Sequence, residues 1–89
     1  MAEYQVLYWR DIPAQVRVFT GRRPLSRPLP DRFQQAIDRV AMRDGLAGTD
    51  DYLAQWRWTE RRTGDGEPEE LLERLIGELA AEYDAANPD

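Results

Sequence analysis

Tyr4-Gln5-Val6-Leu7-Tyr8-Trp9-Arg10-Asp11-Ile12-Pro13-Ala14-Gln15-Val16-Arg17-Val18 is the stretch that decides the fold of this chain. Residues 4–10 are dominated by tyrosine, valine, leucine and tryptophan, which fit a pleated, half-buried surface, so a strand is predicted there. Both alternating sets are apolar, with Tyr4, Val6 and Tyr8 on one face and Leu7 and Trp9 on the other. Such a strand is either covered on both faces or leaves one face as a binding surface. Asp11-Ile12-Pro13 reads as a short connection, because proline removes a ladder donor and aspartate favours turns. Ala14 to Thr20 then alternates more cleanly and sends Ala14, Val16 and Val18 toward the core.

Outward from this hairpin, Gly21-Arg22 marks a turn, and residues 23–29 offer a third strand. Pro24 and Pro28 confine that strand to a sheet edge or to extended polyproline-like chain. The remainder has helical spacing. Pro30 suits the start of a helix, and Phe33, Ala36, Ile37, Val40 and Ala41 form one apolar stripe ending near Gly45. Thr49 followed by Asp50 and Asp51 reads as an N-cap with acids in the first turn. Tyr52, Leu53 and Trp56 would then form the buried side of a short helix. Arg61-Arg62-Thr63-Gly64-Asp65-Gly66 reads as a polar loop. Leu71, Leu72, Leu75, Ile76, Leu79 and Tyr83 carry the longest stripe of all. The expectation is one α+β domain over residues 1–89. A two- or three-stranded antiparallel sheet spans residues 3–29, and three helices pack on one face, at about 31–44, 49–60 and 67–86.

A chain of 89 residues buries roughly 60–65% of its unfolded surface, enough for one core. Hydrophobic residues at 42% and charged residues at 33% place it among globular rather than disordered chains. No apolar run approaches the ~20 residues of a membrane span. Met1-Ala2-Glu3-Tyr4 has neither the basic nor the apolar region of a secretory signal, so a cytoplasmic location is expected. Cysteine and histidine are both missing, which removes disulfides, thiolate nucleophiles and the usual base near neutral pH. It also removes the commonest zinc and haem ligands. No cofactor is therefore expected, and the chain does not read as an enzyme.

All twelve basic residues are arginine. Arginine favours bidentate contacts to carboxylate or phosphate, although codon bias from a GC-rich genome also explains the missing lysine. Residues 1–45 hold eight arginines and five acids, a net +3, and residues 46–89 hold four arginines and twelve acids, a net −8. The overall charge of −5 argues against nucleic acid as a partner. Asp50, Asp51, Glu60, Glu67, Glu69, Glu70 and Glu73 could pair for acid–base work or form a metal site. Helix-start preference accounts for most of them without chemistry.

The segment from Tyr4 to Val16 resembles a small bacterial domain family known as "virulence factor", whose members also occur attached to HEAT-like repeat proteins. The resemblance continues through Leu29-Pro30-Asp31-Arg32-Phe33-Gln34-Gln35-Ala36-Ile37-Asp38 and Gly48-Thr49-Asp50-Asp51-Tyr52-Leu53-Ala54-Gln55-Trp56. It implies no activity and no site. An association of the family with folate- and corrinoid-linked one-carbon genes brings forward a binding role beside such an enzyme.

Candidate contact residues follow from residue type. Tyr8, Trp9, Arg10 and Asp11 place aromatic faces, a guanidinium and a carboxylate at the hairpin end, and Trp, Tyr and Arg dominate binding hot spots. The alternative is that Trp9 packs in the core while Arg10 and Asp11 close the turn. Arg17, Arg22, Arg23, Arg27 and Arg32 form a basic stretch that would suit phosphates, an acidic protein patch or an anionic cofactor, or would simply guard a sheet edge. Trp58 falls off the Tyr52/Trp56 face and is the better candidate for an exposed aromatic. The leading expectation is a non-catalytic protein-interaction module or accessory subunit that docks through the hairpin and the arginine-rich edge. The alternative is a small-ligand or anionic-cofactor binding protein assisting a folate or corrinoid enzyme, with nucleic-acid binding behind both.

Overall fold

Alternation along the first strand and helical spacing after residue 30 carry directly into the architecture of the computed structural model, which describes residues 2–87. β1 (Ala2–Trp9), β2 (Ile12–Phe19) and β3 (Leu25–Pro28) precede α1 (Asp31–Arg43) and α2 (Asp50–Ala54). β4 (Trp56–Trp58), β5 (Arg62–Gly64) and α3 (Pro68–Ala86) complete the order. The five strands form one antiparallel sheet in the order β3-β2-β1-β4, with β5 also paired to β1.

The sheet is larger than the two or three strands expected from residues 3–29. The helix expected over 49–60 ends at Ala54, and Trp56-Arg57-Trp58 crosses instead to the free edge of β1. Leu7 pairs with Trp58 and Trp9 with Trp56, whereas Tyr4 pairs with Arg62 and Ala2 with Gly64. β4 and β5 thus act as one strand with an extra residue between them, a β-bulge. Thr59 holds that bulge. Its N–H donates to the Val6 carbonyl at 2.9 Å, its Oγ1 accepts from the Val6 N–H at 3.1 Å, and its carbonyl accepts from Gln5 Nε2 at 2.8 Å.

β2 also differs from the expected boundaries, because Ile12 and Pro13 belong to the strand and the connection is Arg10-Asp11 alone. Register shifts at the Leu7/Tyr8 step, so that Tyr8 faces Pro13 and Ala14 is the extra residue. A bulge is one of the few places a sheet admits proline. The Ala14 carbonyl accepts from the Leu29 N–H at 3.0 Å.

α3 packs on the sheet face that carries Val6, Val16 and Val18, all buried with Leu71, Leu72 and Leu75. Its approach depends on Gly64. A Cβ there would meet Leu71 Cδ1 at 2.6 Å. The α1 stripe buries Phe33, Ala36, Ile37 and Ala41 as its spacing requires, with Phe33 against Tyr83 of α3. The Thr49 cap is formed, its Oγ1 accepting from the Tyr52 N–H. α2 places Tyr52 beside Trp9, with ring centroids 5.6 Å apart. Because Trp9 alternates with Tyr8, which faces α3 at Leu79 and Tyr83, α2 sits on the opposite side of the sheet. The three helices therefore do not share one face.

Candidate functional site

Strand alternation sends Gln5, Leu7, Arg17 and Phe19 away from α3. Pairing then joins them across strands: Gln5 faces Arg17 and Leu7 faces Trp58. Leu7, Phe19 and Trp58 lie outside the core cluster, and Trp58 keeps 36% of its surface exposed. Beyond the part covered by α2, this face of the sheet is open.

Two guanidiniums lie on its rings. Arg17 is stacked 3.9 Å from the Trp58 ring centroid and 5.3 Å from that of Phe19. Arg61 covers Phe19 at 3.8 Å and bonds Glu3 at 3.0 Å. Arg17 Nη2 donates to Gln5 Oε1 at 2.8 Å, while its Nε is buried without a hydrogen-bond partner. Among the described residues no carboxylate lies within 4 Å of Arg17, Arg22 or Arg23. Arg22 and Arg23 are exposed on the turn that follows Phe19, where Thr20 Oγ1 accepts from the Arg22 N–H and donates to the Arg23 carbonyl.

The hairpin end is a different kind of place. Trp9 is fully buried, and its Nε1 donates to the Tyr52 carbonyl at 3.0 Å, so it serves the core and not a contact. Arg10 bonds Asp44 at 2.6 Å, its N–H reaches the Gln55 carbonyl, and its own carbonyl accepts from Arg57. It is an anchor between the turn and α1. Asp11 is exposed beside a shallow cleft it shares with Tyr8 and Tyr83. Burial pushes the Tyr8 phenol above its ordinary value, against the opposing charge of Arg62.

The basic stretch does not form one patch. By register Arg27 faces the α3 side, 3.7 Å from Glu73. Arg32 is held in a bidentate pair with Asp84, at 2.6 and 3.0 Å, which raises its guanidinium above the usual value chiefly through those hydrogen bonds. Of the residues singled out in sequence, the structure brings Arg17 and Trp58 together and leaves Arg22 and Arg23 nearby. Phe19, which is interleaved with the basic stretch in sequence, completes the face together with Gln5, Leu7 and Arg61, which carry no contact signal of their own in the sequence. The available signal was Trp56-Arg57-Trp58-Thr59, whose aromatic–polar alternation is that of a strand.

A family model described as "Virulence factor" matches residues 7–87. The chain belongs to the virulence factor family. No curated protein and no solved structure matches it. The span of the family match takes in Leu7, Arg17, Phe19, Trp58 and Arg61, and so nearly all of the open face. Among the described residues, no helix of this family member is long and apolar enough to cross a membrane.

Proposed function

We propose that the chain is a non-catalytic protein-interaction module or accessory subunit that docks through the open face around Arg17, Phe19 and Trp58. The observation that carries this reading is Trp58, a large aromatic left outside the core with a guanidinium stacked on it. Tryptophan and arginine anchor interfaces because each contributes a broad contact area at small cost in side-chain freedom. The lack of cysteine, histidine and lysine leaves few groups for nucleophilic or general-base chemistry near neutral pH.

Capture of binding proteins on immobilised domain tests the reading. Wild type, Trp58→Ser and an Arg22/Arg23 double glutamine variant are compared, with folding checked by circular dichroism. The expected result is a partner retained by wild type and lost with Trp58→Ser, with partial loss in the double variant. Retention by all three, or recovery of nucleic acid with a steep salt dependence, would overturn it.

A further inference from the structure

We infer that the open face recognises an extended, aspartate- or glutamate-rich segment of a protein partner, with Arg17 as the central carboxylate clamp. The inference rests on the interaction reading above and names its chemistry. Arg17 has its guanidinium carbon 3.9 Å from the Trp58 ring centroid and 5.3 Å from that of Phe19, one nitrogen fixed by Gln5 and another desolvated without a partner. A guanidinium so held has already given up rotamer freedom and part of its hydration, the two costs that weaken exposed ion pairs. Arg61, Arg22 and Arg23 extend the positive charge along the same end of the sheet, and only Arg61 has a carboxylate partner among the described residues.

Charge complementarity selects an anionic occupant, and ring geometry selects among anions. Single-stranded nucleic acid binds by stacking bases on aromatic faces. Here the rings of Trp58 and Phe19 are each covered by a guanidinium. Glu3 borders the same face and is already paired with Arg61, so a guanidinium of this face accepts a carboxylate within the chain itself. Carboxylate side chains spaced along an extended chain match guanidiniums spaced across a sheet.

The probe is an octaglutamate peptide, titrated into isotope-labelled protein and followed by the backbone, arginine Nε–H and tryptophan indole signals. An eight-nucleotide oligothymidylate is the competing polyanion. The expected result is saturable movement of the Trp58 indole and of residues around Arg17, while the Trp9 indole stays in place because it is bonded to Tyr52 inside the core. Arg17→Gln and, as an exposed second variant, Arg61→Gln should each weaken binding about tenfold or less, the range of one charge-assisted contact. Arg17→Lys should recover little, since lysine keeps the charge and loses the planar fork. Oligothymidylate binding more tightly than the peptide would overturn the inference. So would shifts centred instead on the groove that Arg39 and Val40 of α1 line with Tyr83 of α3. If octaglutamate fails to bind while Trp58→Ser still abolishes partner capture, the face is an interface and the acidic chemistry is wrong.

Discussion

Arg10 and Asp44 meet at 2.6 Å, tying the two-residue turn between β1 and β2 to the end of α1. Arg10 has φ 57°, the one non-glycine residue with positive φ among those described. That conformation crowds a Cβ, and it persists because the ion pair, two backbone hydrogen bonds and the Trp9 ring beneath the guanidinium over-determine it. Arg10→Gly removes the crowding and Arg10→Ala keeps it, and both lose the ion pair. Urea unfolding should find the glycine variant more stable than the alanine variant by about 1 kcal/mol.

Asp44 caps the C-terminal end of α1, where a carboxylate opposes the helix dipole. The Arg43 guanidinium at 3.1 Å, and then Arg10, nevertheless hold its carboxyl below the usual carboxylate range. A folded-state value below the unfolded one means that this contribution is present at neutral pH and is lost as pH falls through the depressed value. The difference in Tm between wild type and Asp44→Asn should therefore be positive at neutral pH and close in acid. A gap independent of pH would contradict the assignment.

Trp9 and Trp58 should separate cleanly under substitution. Trp9→Ala empties a fully buried site and should cost about 3–5 kcal/mol in chemical denaturation. Trp58→Ala removes a ring outside the core and should cost about 1 kcal/mol or less, the range of an exposed cation–π contact.

Gly64→Ala should destabilise by about 1–3 kcal/mol, because the new methyl must displace the buried Leu71 side chain. The backbone at Gly64 is not in the left-handed region, so the effect is steric. Combining it with Leu71→Ala should then cost less than the two single losses together, as a double-mutant cycle would show.

Thr59→Val should leave the Val6 amide without its acceptor in a buried position and cost about 1–3 kcal/mol. Thr59→Ser keeps the hydroxyl and should cost less. Hydrogen exchange at the Val6 amide reads the difference directly: fast in the valine variant, protected in the serine variant.

Helical periodicity made α1 and α3 readable, since Phe33, Ala36, Ile37 and Ala41 each occupy the buried side that their spacing assigns. The Thr49 cap was readable for the same local reason. Trp56 reads as helical in sequence because Tyr52 and Trp56 satisfy an i, i+4 rule whether or not the helix continues. A three-residue strand has too little sequence to show a period, and the extra residue near Thr59 breaks the alternation that would have joined residues 56–58 to 62–64. Most of the open face was hidden for a related reason. Arg17 meets Trp58 only because β1 lies between their strands, a relationship no local pattern encodes. What the first strand did announce was its two apolar faces, and the structure resolves that ambiguity toward one covered face and one partly open.

The bulged outer strand has a consequence for synthesis on the ribosome. β1, β2 and β3 emerge first and can pair among themselves, but the other side of β1 stays unpaired until residues 56–64 have left the exit tunnel. Until then Arg17 has no Trp58 to lie against, and the sheet has a raw edge. A truncated or stalled chain thus displays the basic residues without the aromatic support that gives them a fixed geometry. The fixed geometry of Arg17 therefore arrives late, only once residues 56–64 have paired with β1.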